Sequence, residues 1–351
     1  MTPTRGSAAG NGRVATLSDV AREAGVSLAT ASRAINGSTN RSVREDLRER
    51  VLAAAAKLDY SPNANAQAMA RGRTATLGLI VHDIADPFFS TIAAGVTEAA
   101  DAAGLAVTLA NTEHDPEREI GFIQTLQNLR ARSIILVGGR QDDDEGNRRL
   151  RDALAGYQER GGTAAMVGQP ILGVSAVHVD NRGASAELAR ALHGLGYRRF
   201  AVVGGPENHL TARERREGFC AALAELGSPV ADDAVVPCAF VRDGGYDGMK
   251  ELLARGLDVE VVFAVNDVMA LGAMTAAREA GLDLPRDLAF AGFDDITALR
   301  DVTPTLTTVA IDMVDIGRQA TALALGEGGG EPQVVIASGD VVLRESTPGP
   351  R

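Results

Sequence analysis

TLSDVAREAGVSLATASRAING, residues 16–37, sets two short helical patterns on either side of a glycine. Thr16 and Asp19 form a T-x-x-D capping box, and Leu17, Val20, Ala21 and Ala24 recur at helical spacing, so a helix opens at 16. Gly25 suits the left-handed cap that ends it, and Val26 with Ser27 turns the chain. Ser27 then caps a second helix that ends near Asn36 and Gly37. A third helix is expected from Ser42, where S-x-x-E with Glu45 is another capping box. Its Val43, Leu47, Val51, Ala54 and Leu58 give the stripe that closes a three-helix core. The next stretch, YSPNANAQAMARGRT, allows a two-turn helix over Asn63 to Ala70, too short to be stable without partners.

The chain has 351 residues, room for two or three domains. Its net charge of −11 hides an asymmetry: residues 1–73 hold eleven Lys and Arg against six Asp and Glu, a net of +5, which leaves −16 for the rest. A basic module on an acidic body points to a polyanionic partner for the module alone. Residues 1–14 read as a disordered tail without the apolar core of a signal peptide, and no apolar run approaches the roughly 20 residues of a membrane span. Cys220 and Cys238 form no C-x-x-C, as expected of a reduced, cytoplasmic protein.

A helix-turn-helix places its second helix in the major groove. On that geometry Leu28 and Ala29 face base edges, while Ser27, Thr30, Ser32 and Asn36 suit phosphate oxygens and Arg33 reaches guanine or phosphate.

Beyond residue 75, apolar runs alternate with helical stretches: TLGLIV, AVTLANT, SIILVGG, AAMVGQ, FAVVGG, VVFAVND and LAFAGFDD. That alternation predicts doubly wound parallel sheets in two halves, with ligands bound beyond the carboxyl ends of the strands. Polar residues collect at those ends. Asp86 and the Phe88–Phe89 pair follow the first run, Arg213 opens a helix after GGPENHLTA, Asn266 and Asp267 end VVFAVND, and Asp294 and Asp295 end LAFAGFDD.

With TLSDVAREAGVSLATASRAING, LDYSPNANAQAMARGRT, NDVMALGAM, GFDD and LTTV in place, the chain resembles the lactose-repressor (LacI/GalR) family of bacterial transcription regulators from about Ala15 to Ser346. The resemblance implies an α/β protein with an N-terminal all-α helix-turn-helix domain (15–61), a hinge helix and linker (62–74), and a two-lobed, periplasmic-binding-protein-like domain (75–347). Lobe 1 is expected at about 75–178 and 310–340, lobe 2 at about 179–309 and 341–347. It implies a homodimer on a pseudo-palindromic operator in double-stranded DNA, with hinge helices in the minor groove. Met69 stands at the position of the family's wedging leucine, aided by Asn63 and Asn65. Carried over residue by residue, Asp86, Phe89, Arg213, Phe240, Asn266 and Asp294 are the contacts expected for a small effector, a sugar or related polyol. Asp267 and Asp295 are expected as helix caps and Phe88 as core.

One departure bears on the effector. Pentose-binding relatives carry a glutamine after TTVA where this chain has Ile311. A hydroxyl left unpaired there costs roughly 1–3 kcal/mol, so ribose held as in those relatives is disfavoured. His82, at the end of the first strand, is either a substitute contact or a satisfied structural histidine. No hydrolase, nucleotide-binding or zinc motif occurs, so no enzyme, cofactor or metal is expected. The C-terminal stretch has no leucine heptad, which predicts a dimer and not a tetramer. An extracytoplasmic sugar-binding protein is the alternative the body alone would suit, and a nucleobase the alternative effector.

Overall fold

A computed structural model describes residues 15–36, 43–61, 73–256, 258–326 and 330–350. It divides into two compact units between Thr74 and Ala75.

In the first unit, α1 (Leu17–Ala24) starts from the capping box read in the sequence. Thr16 accepts from the Asp19 amide while the Asp19 carboxylate accepts from the Thr16 amide at 3.0 Å. Gly25 ends the helix at φ +62°, and there the Arg50 guanidinium donates to the Ala24 carbonyl at 2.5 Å, placing positive charge on the negative end of the helix. Ser27 Oγ accepts from the Thr30 amide at 3.1 Å and caps α2 (Leu28–Asn36). The third helix, α3 (Glu45–Lys57), begins at Glu45 and not at Ser42, which lies outside the described residues. Its leading residue, Arg44, makes no cap and instead forks onto Asp46 at 3.0 and 2.7 Å. The core is small-residue packing: Val20, Ala21, Ala24, Ala31, Ala34, Val51 and Ala54 are buried, whereas Leu47 stays half-buried outside the cluster.

The second unit holds two parallel sheets. The first comprises β1 (Thr76–Val81), β2 (Ala106–Asn111), β3 (Ser133–Val137), β4 (Thr163–Val167), β5 (Ser175–Val179) and the returning β11 (Val334–Ala337), in the order β11-β5-β4-β3-β1-β2. Its helices are α4 (Pro87–Ala102), α5 (Pro116–Asn128), α6 (Asp144–Glu159) and α11 (Met313–Leu325). Both faces of β3 are buried. Ile135 and Val137 join the cluster containing Ile92 and Val96 of α4, and Ile134 and Leu136 join the one with Ile123 and Leu126 of α5 and Leu150 and Leu154 of α6. A strand covered on both faces reads as a continuous apolar run, which is why SIILV was legible.

The second sheet runs β7-β6-β8-β9, from β6 (Phe200–Val203), β7 (Val235–Val236), β8 (Val261–Ala264) and β9 (Ala289–Ala291). Its helices are α7 (Asn181–Gly194), α8 (Leu210–Glu225), α9 (Arg242–Ala254) and α10 (Asp267–Glu279). The antiparallel pair β10 (Thr308–Ala310) and β12 (Asp340–Val342) carries two of the passages between the sheets. The third, after β5, is tied to them where the Asp180 amide donates to the Ala337 carbonyl at 2.9 Å. Among the described residues no helix is long and apolar enough to cross a membrane, and no cluster of His, Cys, Asp and Glu could hold a metal.

Candidate functional site

On α2, Ala31 and Ala34 point into the core while Ser27, Leu28 and Ala29 are exposed, Leu28 at 51% despite its size. Thr30, Ser32 and Arg33 are half-buried, and the Ser27 and Thr30 hydroxyls share a hydrogen bond of 2.8 Å. Asn36 closes the helix. Asn63, Asn65 and Met69 lie outside the described residues.

In the second unit the strand ends assemble a buried polar centre around a residue passed over in the sequence. Arg215 of α8 is 2% exposed, and its guanidinium donates to Asn181 Oδ1, to the Val265 carbonyl and to Asp294 Oδ1, each at 2.9 Å, while lying 3.7 Å from the Phe293 ring centroid. Asn181 donates onward to Glu214 Oε2 at 2.9 Å, which also accepts from Gln169 Nε2 at 3.1 Å. Gln169 follows β4, so one chain of bonds links the two sheets.

The six expected contacts take unequal places. Asp86 caps α4 by accepting from the Phe88 amide at 2.9 Å, and burial pushes its carboxyl up from the usual range. Phe89 is buried in the core, 5.2 Å edge-on from Phe88, which is half-buried and packs against the same core as expected. Phe240 stacks on His209 at 4.5 Å. Asn266 is buried and its Oδ1 caps α10 by accepting from the Met269 amide at 2.8 Å. Asp294 is buried at φ +119°, a conformation rare outside glycine, and desolvation raises its carboxyl to about 6 against the pull of Arg215. Arg213 is a third exposed and donates to Asp142 at 2.6 Å, so the central guanidinium is Arg215 and not Arg213, one helical half-turn away.

The expected caps are corrected too. Asp267 is fully buried, accepting from the Thr308 hydroxyl at 2.7 Å and the Ile296 amide at 3.0 Å, and burial with the neighbouring Asp294 charge holds its carboxyl well up. Asp295 faces Arg344 at 2.7 Å. Ile311 is buried core, 6% exposed.

Beside this centre lies a compartment lined by His82, Thr112, His114, Glu119, Arg140 and His209, among others. Arg140 is buried and donates to both Glu119 oxygens at 3.0 and 2.8 Å and to His82 Nε2 at 2.9 Å. Gly138, at φ +146°, leaves room for the His82 ring, which a Cβ there would meet at 2.4 Å. Burial lowers His82 far below the usual imidazole range and takes His209 to about 3, so both rings are neutral. The residues flanking Arg140 also tie the sheets together: its carbonyl accepts from the Leu210 amide at 2.9 Å, and the Asp142 amide donates to the Asn208 carbonyl at 2.7 Å.

Residues 16–63 match the family described as bacterial regulatory proteins, lacI family, and residues 74–327 match the periplasmic binding proteins and sugar binding domain of LacI family. The chain belongs to the lacI family of bacterial regulatory proteins. Among its lacI-family relatives, the HTH-type transcriptional regulator DegA of Bacillus subtilis is 30% identical over 95% of this chain and 98% of its own. The ribose operon repressor of Escherichia coli K12 is 34% identical over 88% of this chain and 91% of its own. The lac repressor bound to ONPG in its repressed state superposes with a TM-score of 0.80 at 26% identity, over 95% of this chain and all of the other. The α/β architecture and the helix-turn-helix expected from sequence both stand.

Proposed function

We propose that this regulator binds a pseudo-palindromic operator as a homodimer in the cytoplasm, that an uncharged sugar or polyol bound between the two sheets alters that binding, and that it catalyses no reaction. The single observation that carries the effector half is the Arg215 centre: a buried guanidinium held by Asn181 and Asp294, with Asn266 and Asp86 at neighbouring strand ends. Buried amide, carboxylate and guanidinium groups converging beyond strand ends suit paired ring hydroxyls. Arg215 takes the role expected of Arg213, while Asp86, Asn266, Asp294 and Phe240 keep theirs. The buried Ile311 offers no amide, so ribose is expected to bind more weakly than hexose-based sugars.

The DNA half rests on the exposed Ser27–Ala29 edge of α2 within a module of net positive charge. Leu28 and Ala29 read the major groove by apolar contact, Arg33 by hydrogen bonding, and Ser27, Thr30, Ser32 and Asn36 position the helix on phosphates. Asn63 and Met69 act in the minor groove at the hinge.

The test is selection of bound sequences from a random DNA pool with the full-length protein, paired with a thermal-shift screen over sugars, polyols and nucleobases. A two-fold-related motif and stabilisation by a neutral saccharide are expected. Stabilisation by a nucleobase alone refutes the effector assignment, and the lack of any enriched motif refutes the DNA assignment.

A further inference from the structure

Asn266 already caps α10, so the neighbouring Asp267 is not needed as a cap, yet it sits there with no exposed surface. Burying an ionisable group is costly unless its bonds are made, and both Asp267 oxygens are engaged. Oδ2 accepts from the Ile296 amide at 3.0 Å, two residues beyond Asp294, and Oδ1 accepts from the Thr308 hydroxyl of β10 at 2.7 Å. The Asp267 amide donates to the Phe293 carbonyl at 2.9 Å. Gly292 passes so close that a Cβ there would meet Asp267 Oδ1 at 2.2 Å. The segment 292–296 is thus wrapped around Asp267, with one expected effector contact, Asp294, inside it and another, Asn266, next to Asp267 in sequence.

Thr308 lies on a route between the sheets. β10 is one of the passages, and α11 begins three residues after it ends. The backbones of α4 and α11 touch: a Cβ on Gly95 would meet the Val314 carbonyl oxygen at 2.0 Å, and one on Gly317 the Ile92 carbonyl oxygen at 2.3 Å. Asp86, the expected contact from the first sheet, caps α4. β10 and α11 therefore run from the effector contacts of the second sheet to the helix that carries the contact of the first. The Gly292 amide donates to the Thr307 carbonyl and the Asp294 amide to the Val309 carbonyl, each at 2.9 Å, so main-chain bonds hold 292–296 along β10. The Thr308 hydroxyl joins the head of α10, and with it Asn266, to the same strand.

We propose that Asp267 and Thr308 are positioning residues that carry occupancy of the effector site into β10, so that the bond between them sets how strongly saccharide and operator affect each other. The inference rests on the saccharide-controlled operator binding proposed above and assigns its regulation to one side-chain link. Coupling between distant sites travels through elements whose arrangement both sites bias, and β10 has that position.

Fluorescence anisotropy of the full-length protein with a labelled operator selected from a random pool tests it. The effector used is whichever of glucose, galactose, xylose, ribose, maltose and cellobiose raises the melting temperature most. In the parent, saturating saccharide is expected to change operator affinity tenfold or more, and by linkage saturating operator changes saccharide affinity by the same factor. Thr308→Val, close in shape but without the hydroxyl, is expected to cut that factor below threefold. Its saccharide-free operator affinity and its DNA-free saccharide affinity each stay within threefold of the parent. Thr308→Ala drops the same hydroxyl and is expected to give the same result should the valine variant not fold, and Thr308→Ser restores the parental factor. Thr307→Val controls for a merely structural loss. Thr307 is equally buried on the same strand, but its hydroxyl bonds to Thr347 and accepts from the Arg344 amide, so this variant is expected to lower stability and keep the factor. A parental factor in the variants lacking the Thr308 hydroxyl, an equal loss in Thr307→Val, or no rescue by serine overturns the link while leaving saccharide control standing. A parent whose operator affinity none of these sugars alters overturns both the link and the saccharide reading.

Discussion

Arg215 Nη2 and Asp294 Oδ1 meet at 2.9 Å with both side chains almost wholly out of solvent, and this pair organises the strand ends of the second unit. Removing one partner strands the other: Asp294, Asn181 and the Val265 carbonyl would lose their donor together. Arg215→Ala is therefore expected to destabilise the protein by about 3–5 kcal/mol in urea denaturation. A loss under 1 kcal/mol would show that the pair is not the buried centre described.

Two residues earlier on the same helix, Arg213 pairs with Asp142 where both remain solvated. Exposed ion pairs contribute at most about 1 kcal/mol. Arg213→Ala is expected to change stability by less than that and to leave effector affinity within a few-fold, whereas Arg215→Lys, which keeps the charge but loses the planar fork, weakens the effector at least tenfold. Titration calorimetry on the two variants decides between them.

The raised Asp294 carboxyl makes a signed expectation. Its folded-state value of about 6 lies above the unfolded value of about 4, so the folded state binds the extra proton between those pH values. The stability contributed by this group is present below pH 4 and lost as pH rises to 6. Asp294→Asn abolishes that loss, so the variant gains on the parent by about 2 kcal/mol between pH 4 and pH 6. Urea midpoints at pH 4, 5 and 6 measure it, and a constant difference between the two proteins contradicts it. The buried histidines act in the opposite direction over the same range, which is why the comparison is between parent and variant.

How far the chain was legible from its letters depended on what each feature needed. The Thr16–Asp19 box and Gly25 are local, and they read correctly. Strands buried on both faces, such as SIILV, announce themselves as apolar runs. Val235–Val236 and Thr308–Ala310 do not, being two and three residues long, and in Ser175–Val179 a histidine interrupts the apolar run. The site was harder still. TARERREGF offers Arg213, Arg215 and Arg216 within four residues, and only helical phase against α7 and the strand ends puts Arg215 inside. His209, Glu214 and Asn181 carried no motif, since their partners lie far away in sequence.

On the DNA side, Leu28 is a large apolar side chain half in solvent, so its removal has no core to disturb. Leu28→Ala is expected to leave the melting temperature within about a degree and to lower affinity for selected operator DNA. Arg33→Ala is expected to cost roughly 1–3 kcal/mol of operator affinity and to relax base preference at one position per half-site. An unchanged selected-sequence profile for Arg33→Ala contradicts its placement in the groove.

One chain is expected to couple a saccharide site at Arg215 to operator binding. Fluorescence anisotropy with a labelled selected operator, in the presence and absence of the saccharide that most stabilises the full-length protein, tests it most directly. The expected result is a change of tenfold or more in operator affinity at saturating saccharide for the parent protein, and none for Arg215→Lys at the same concentration. Operator affinity that is identical with and without saturating saccharide in the parent would contradict it.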